Sequence, residues 1–182
     1  MNAKCIIRSQ QALFWLLAGL GMMPQCLSAQ TVIWEAPEHF NKFNSVTGGW
    51  LASDATISLP LPDDKTLWLF GDSFIGEKNG EFGINPLKSK FINNSAILET
   101  GDDLTSLYGG TFENPSSFVP GEGADYFWPE HAVIENDIVK VFAIRIKNVD
   151  YGTPGFNFQV GTTYKASFKY PGFEHISTTR FE

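Results

Sequence analysis

The segment from Gly49 to Phe74 constrains the fold more than any other part of the chain. Two apolar runs lie on either side of the turn sequence Pro62-Asp63-Asp64-Lys65, and turn residues between two strand-like runs predict a β-hairpin. Counting outward from this turn places Ala55 opposite Asp72, so Asp54 and Asp72 meet at the open end of the hairpin. Sites that cleave glycosidic bonds use two carboxylates at one rim. A chance meeting of two acids is the alternative.

Strand-like runs separated by turn residues continue after this hairpin. Beyond the first thirty residues no window carries apolar side chains at helical spacing, so the sequence predicts an all-β fold. Residues 106–128 are rich in Gly, Pro, Ser and aromatic residues, and we expect them to form a loop over one face. The expected strands span residues 55–61, 66–71, 91–99, 130–134, 138–146 and 156–168, with a second hairpin turn at 135–137.

The second hairpin resembles an imperfect copy of the first. In each, an acidic residue (Asp54 or Glu130) precedes an apolar strand, a short acidic turn and a strand that is apolar on both faces. Such strands are covered on both sides, which is the environment of sheets stacked as the blades of a β-propeller. A propeller needs about four to eight blades. Because two repeats cannot close a ring, we expect this chain to be the N-terminal part of a longer protein.

The first 29 residues have the pattern of a secretory signal peptide. Two basic side chains precede an apolar stretch at 12–23, and Leu27-Ser28-Ala29 supplies a small-residue cleavage site. We therefore expect an exported protein, periplasmic or extracellular, without a transmembrane segment. Residues 30–48 are expected to be an irregular segment that leads into one domain at 49–182.

The amino-acid composition limits which kinds of chemical site and which kinds of binding partner are possible. Both cysteines, Cys5 and Cys26, lie in the expected signal peptide, so the exported chain has no disulfide or thiolate site. The chain carries 20 acidic and 13 basic residues, a net charge of −7, which disfavours nucleic acid as a partner. An uncharged polymer such as a glycan is a more suitable partner for an acidic protein. The alternative is that the negative charge only keeps the protein soluble. No metal site or cofactor is predicted, and a structural calcium ion is left open.

Several motifs together resemble a family of secreted bacterial domains of unknown function. The motifs are Gly48-Gly49-Trp50, Asp54, the run 61–74, Asn93-Asn94-Ser95 and Trp128-Pro129-Glu130. That family is related to five-bladed β-propeller glycoside hydrolases, some of which cleave D-arabinan. The resemblance covers residues 48–168 and implies about two blades of a five-bladed β-propeller, which we expect to be a monomer at full length. Ser73, where Thr is usual, and Asp64-Lys65, where Asp-Gly is usual, depart from the family pattern.

The resemblance implies that Asp54 and Asp72 are the catalytic carboxylates of a glycoside hydrolase, acting on an arabinan or a related furanoside polymer. One carboxyl would act as the acid and the other as base or nucleophile. Strict alternation from the predicted register sends the two side chains to opposite faces of the hairpin. A bulge or frayed strand ends would remove that conflict. The alternative is that both aspartates only cap strand ends.

Further side chains near the strand starts are candidates for binding a sugar. Two tryptophans could stack on sugar rings or belong to the core, and two asparagines could bond sugar hydroxyls or satisfy turn backbone. Glu130 and His131 could line the same cavity or cap a strand. Arg145, which interrupts an apolar strand, could pair with an acid or mark the solvent-exposed end of that strand. These residues are Trp50, Trp128, Asn93, Asn94, Glu130, His131 and Arg145.

Two other functions are open from the sequence. The first is a propeller that binds glycan without cleaving it. The second follows from Gly71-Asp72-Ser73-Phe74, which resembles the nucleophile block of the esterases and lipases named for Gly-Asp-Ser-Leu, with Ser73 attacking an acyl carbon. That esterase fold alternates helices with parallel strands, and no helical pattern follows Ser73.

Overall fold

The computed structural model describes residues 37–80, 83–85, 87–151 and 157–181, and the expected signal peptide lies outside these ranges. The described residues form one helix and fourteen strands, which confirms the all-β prediction. No helix in them is long and apolar enough to cross a membrane. The elements are α1 (Pro37–Asn44), β1 (Gly48–Ser53), β2 (Thr56–Leu61), β3 (Lys65–Phe70), β4 (Ser73–Asn79), β5 (Gly83–Ile84), β6 (Lys90–Ile92), β7 (Ser95–Thr100), β8 (Asp103–Leu107), β9 (Gly109–Gly110), β10 (Pro115–Ser116), β11 (Tyr126–Glu135), β12 (Ile138–Asn148), β13 (Phe158–Lys169) and β14 (Glu174–Arg180).

Two four-stranded antiparallel sheets form the body of the described chain. The first sheet has the order β2-β3-β7-β8, and the second has the order β11-β12-β13-β14. Each predicted hairpin is the first half of one of these sheets. A third, smaller sheet has the order β1-β4-β5, with β6 also paired to β4, and β9 pairs with β10.

The hydrophobic core lies between the first and second sheets, where β11 packs against β2 and β3. Leu67 and Leu69 of β3 are fully buried, as are Val139 and Val141 of β12. Burying a side chain of this size stabilises the fold by about 1.5 to 3 kcal/mol. This packing fixes the ends of the two sheets relative to each other.

The first hairpin has the predicted turn, but its predicted register is wrong by one residue. In β2 and β3 the residue opposite Leu61 is Lys65. Asp63 and Asp64 both have positive φ, 60° and 53°, a conformation that aspartate tolerates in turns. The turn therefore closes with three residues instead of four. This shift decides which side chains meet at the open end of the hairpin.

The second hairpin forms where it was predicted, but its turn is one residue shorter than the predicted 135–137 and its first strand is longer, at Tyr126–Glu135. Glu135 lies opposite Ile138, and the two residues between them, Asn136 and Asp137, have φ values of 51° and 59°. Two successive residues with positive φ are typical of the tight turns that match the twist of a hairpin, and Asn and Asp are favoured there.

Helix α1 differs from the irregular segment that was expected before residue 49. It has eight residues, which is too short to produce a repeated helical pattern in the sequence. The ring of Phe43 contacts Trp50, Trp68 and Phe70, with centroids 5.7, 5.4 and 6.2 Å away. The helix is thus stabilised by packing on β1 and β3, since so short a helix is not stable by itself.

The chain leaves the first sheet between its second and third strands. Residues 71–94, which we call the excursion, run through β4, β5 and β6 before the chain returns as β7. The hydroxyls of Ser73 and Ser95 lie 2.7 Å apart in a hydrogen bond, and both side chains are fully buried. This contact joins the two ends of the excursion.

Candidate functional site

A cleft of about 810 Å³ opens where the ends of the two larger sheets meet. Its lining comes from the open end of the first hairpin, the return of the excursion, the segment that precedes β11, and the adjoining ends of β11, β12 and β13. It contains acidic, amide, hydroxyl and aromatic side chains. The lining residues are Asp54, Asp72, Phe91, Asn93, Ser116, Ser117, Pro120, Gly121, Gly123, Ala124, Asp125, Tyr126, Trp128, Asn148 and Phe158.

The backbone places Asp54 and Asp72 beside each other in this cleft. The Asp54 N–H donates to the Asp72 carbonyl and the Gly71 N–H donates to the Asp54 carbonyl, each over 3.1 Å. A Cβ at Gly71 would lie 2.5 Å from Asp54 Oδ1, so a side chain at this position would displace the Asp54 carboxyl. The predicted register had sent the two aspartate side chains to opposite faces of the hairpin. That conflict disappears, because Asp54 lies opposite the peptide between Gly71 and Asp72.

The two carboxyl groups have unequal surroundings. Asp54 is exposed and Asp72 is half-buried. Trp128 Nε1 donates to Asp72 Oδ1 over 2.9 Å, and Asn93 also hydrogen-bonds this carboxyl. Burial raises the pKa of Asp72 above its ordinary value, and the nearby charge of Asp54 raises it further, against the opposite effect of the two hydrogen bonds. Asp72 therefore holds a proton more readily than an ordinary aspartate does.

Aromatic rings surround this pair. The half-buried Trp128 packs edge to face with Tyr126 and Phe158, with centroids 5.8 and 5.2 Å away. Burial raises the pKa of Tyr126, and so does the charge of Asp72, which places the phenol near the carboxyl pair. Phe91 is exposed at the rim and contacts Phe74, with centroids 5.7 Å apart. The cleft thus combines an acid pair with apolar ring surface.

Of the residues predicted to bind a sugar, Asn93 and Trp128 line the cleft and Trp50 does not. The Trp50 ring lies beside Phe70, with centroids 5.0 Å apart, and contacts Phe43 of α1. Its indole N–H donates to Ser53 Oγ over 3.2 Å. Trp50 therefore packs under the helix.

Asn94 is fully buried and bonded to backbone groups. Its Nδ2 donates to the carbonyls of Val119 and Phe127 over 3.1 and 2.8 Å, and its Oδ1 accepts from the Val119 N–H over 2.7 Å. Both partners are themselves fully buried. Asn94 thus joins the start of β7 to β11 and to the segment before it, and its amide is not available to a ligand.

Glu130 and His131 are exposed and do not line the cleft. The register of β11 shifts between Pro129 and His131, which leaves Glu130 in a bulge. The His131 ring stacks on Phe142, with centroids 6.4 Å apart. This contact places His131 on the second sheet rather than in the cleft.

The structure also places Ser73, the nucleophile of the esterase alternative. Its side chain is fully buried, and its hydroxyl donates to the Gly71 carbonyl over 2.7 Å. A serine nucleophile must reach an acyl carbon and a general base, which this position does not allow. In the described ranges no group of three or more His, Cys, Asp or Glu side chains could hold a metal ion.

Sequence reasoning missed several cleft residues because they lie in the segment expected to be a loop or near the ends of predicted strands. Asp125 and Tyr126 lie directly before Phe127 and Trp128, and alternation along 126–128, which puts Tyr126 on the face of Trp128, gives the signal that could have found Tyr126. Ser116 and Ser117 carried no comparable signal. Phe91 and Phe158 are aromatic residues at strand ends, where rings can face a cleft.

Comparison with known proteins gives a family and one similar fold. The sequence profile of the family described as "Domain of unknown function (DUF5005)" matches residues 37–181. Among solved structures, the chain is similar to a "putative hydrolase" from Bacteroides ovatus, with 20% sequence identity and a TM-score of 0.63 over 77% of this chain and 42% of that one. The chain thus spans less than half the length of that protein, and the likeness shows the fold. Among curated proteins nothing matches.

Proposed function

Because the chain belongs to the family of domains of unknown function named DUF5005, we propose its function from the cleft itself: hydrolysis of a glycosidic bond in a carbohydrate polymer. The observation that carries the proposal is the pair Asp54 and Asp72, adjacent in one aromatic-lined cleft and unequally buried. Glycoside hydrolysis needs one carboxyl that stays protonated and one that is ionised. Two carboxyls in different surroundings supply that division.

In the proposed reaction Asp72 is the general acid. Its raised pKa favours the protonated form, which would donate to the glycosidic oxygen as the bond from that oxygen to the anomeric carbon breaks. Asp54, exposed to solvent, is the partner that activates a water molecule or attacks the anomeric carbon. Water supplies the hydroxyl of the new reducing end. Acid–base chemistry by two carboxylates requires no metal or cofactor, so the proposal includes none.

The other cleft residues have roles in holding the sugar. The apolar faces of Trp128 and Phe158 offer surface to the C–H groups of a sugar ring, and Asn93 offers an amide to its hydroxyls. These groups lie around the carboxyl pair, so a bound sugar would have its glycosidic oxygen close to Asp72. An arabinan or a related furanoside polymer is the proposed substrate class, in keeping with the resemblance in the sequence.

The fold supports a wider proposal about the whole protein. Two successive four-stranded antiparallel sheets are what two neighbouring propeller blades look like, and we propose that they are two blades of a five-bladed propeller. The similar fold described as a hydrolase is consistent with this proposal. The signal-peptide pattern supports export to the periplasm or the cell exterior.

The proposal is tested by incubating the protein with a panel of polysaccharides, arabinan first, and measuring the release of reducing ends. Asp72→Asn and Asp54→Asn should each lower the rate by about 10²- to 10⁴-fold, the usual contribution of a positioned acid or base. Asp63→Asn is the matched control, because Asp63 is an exposed turn residue with positive φ that asparagine also tolerates. Circular dichroism checks that each variant folds. Wild-type rates in both site variants would refute the assignment.

A second candidate function is glycan binding without cleavage. It is favoured by the two hydrogen bonds that Asp72 already accepts, from Trp128 and Asn93, since these favour its charged form and suit a carboxylate that only orients a ligand. Calorimetric titration with the same polysaccharides separates the two functions. Saturable binding with no reducing ends after prolonged incubation would favour binding alone.

A further inference from the structure

One turn of the chain forms part of the cleft wall, and a side chain outside the cleft holds it in place. Residues 121–125, which we call the wall turn, contribute Gly121, Gly123, Ala124 and Asp125 to the lining. The backbones of Glu122 and Asp125 exchange two hydrogen bonds of 3.1 Å, and Gly123 has a φ of 63°. The wall turn is thus a tight loop that leads directly into β11.

Arg145 of β12 binds the acidic side chains of the wall turn. Its Nε and Nη2 lie 2.8 and 2.7 Å from Asp125 Oδ2, and Nη2 lies 3.6 Å from Glu122 Oε2. Arg145 lies opposite Phe127 in the second sheet and does not line the cleft. A single guanidinium outside the cleft therefore contacts both acidic side chains of the wall turn.

The guanidinium is itself fixed on its other side. Arg145 Nη1 donates to Tyr164 Oη over 2.9 Å, and the guanidinium carbon lies 5.5 Å from the centre of the Tyr164 ring. A planar guanidinium can hold these bonds together, whereas a lysine ammonium presents a single point charge. A second contact also secures the wall turn, because Asn148 Nδ2 donates to the Ala124 carbonyl over 2.7 Å.

We propose that Arg145 is a positioning residue of the proposed site, and this inference rests on the function proposed above. By holding Asp125 and Glu122, Arg145 fixes the wall turn, which contributes four residues to the lining of the cleft. The charges and hydrogen bonds that act on the Asp72 carboxyl come from Trp128, Asp54 and Asn93. Arg145 therefore acts on the affinity for the substrate and leaves the proton chemistry unchanged.

The test has a part that needs no substrate. In Arg145→Gln we expect amide hydrogen exchange of residues 121–125 to become at least about tenfold faster, because the turn loses its side-chain anchor. With arabinan as the probe, KM should rise about tenfold while kcat stays within about twofold and the pH profile keeps its shape. Arg145→Lys should restore these values only in part.

Lys140→Gln is the matched control, because Lys140 forms an ion pair with Glu135 on the same pair of strands, far from the cleft. It should change neither exchange at 121–125 nor KM. Unchanged exchange in Arg145→Gln, or a loss of kcat with a shifted pH profile, would overturn the positioning role. If arabinan is neither bound nor cleaved, the proposed function is refuted for that polymer. Amide hydrogen exchange in the free protein still decides whether Arg145 holds the wall turn.

Discussion

Replacing Asn94 should destabilise the protein far more than replacing its neighbour Asn93, although both were candidates for binding a sugar. Asn94 makes three side-chain hydrogen bonds to the buried backbone of Val119 and Phe127. Asn93 is only half-buried and faces the cleft. The two positions therefore allow the same substitution, Asn to Ala, in two contrasting environments.

The size of the effect follows from the groups that Asn94→Ala leaves without partners. Each lost neutral hydrogen bond is worth about 0.5 to 1.5 kcal/mol net, and a buried group left unsatisfied costs about 1 to 3 kcal/mol. One N–H and two carbonyls are affected, so we expect the free energy of unfolding to fall by about 3 to 5 kcal/mol. That is a large part of the 5 to 15 kcal/mol typical of a domain.

Urea unfolding followed by tryptophan fluorescence measures this loss. The midpoint for Asn94→Ala should fall by roughly 2 M, with an unchanged slope, and the free energy for Asn93→Ala should change by less than about 1 kcal/mol. Asn94→Asp gives an independent check: an ionised carboxylate would face two carbonyl oxygens, so its destabilisation should lessen as pH falls and the carboxyl gains a donor. A loss below about 1 kcal/mol in Asn94→Ala would refute the reasoning.

Two further predictions concern titrating groups. Trp128→Phe keeps a ring but removes the donor that lowers the pKa of Asp72, so carboxyl NMR titration should show that pKa rising, and a fall would contradict the assignment. Burial alone would raise the pKa of Glu99, but hydrogen bonds from Lys42 and Trp68 hold it below its ordinary value of 4.5. Its stabilising contribution is therefore present above that value and lost as pH falls through the lowered pKa. Glu99→Gln should lower the unfolding free energy at pH 7 by about 1.5 to 3 kcal/mol and flatten the acid limb of the stability profile; equal acid limbs would contradict this.

The sequence predicted the strands and turns better than the site. Asn136-Asp137 is a local signal, because those two residues themselves adopt the backbone angles of the turn, and the hairpin forms where it was predicted. At Asp63-Asp64 the turn was also found, but whether it closes with three or four residues depends on backbone conformations that composition does not specify. That one-residue difference decided whether Asp54 and Asp72 lie directly opposite each other or on opposite faces of the hairpin.

The roles of the candidate side chains depended on tertiary contacts. Asn93 and Asn94 are adjacent and identical in type, yet one lines the cleft and the other is buried between the sheets. The split of the predicted strand 91–99 at these two residues has no local signal beyond the asparagines themselves. Trp50 and Trp128 were both candidates for stacking on a sugar ring. Only helix α1, which no periodicity revealed, explains why Trp50 packs under Phe43 instead of facing the cleft.

The excursion has a consequence for how relatives of this domain can diverge. Its two ends carry Asp72 and Asn93, and the buried Ser73–Ser95 contact secures them independently of what lies between. Insertions or deletions between β4 and β6 should therefore leave Asp72 and Asn93 in place, while changes near Phe91 should alter the rim of the cleft. Such an arrangement would let domains of this fold vary in one appendage while these two cleft residues keep their positions.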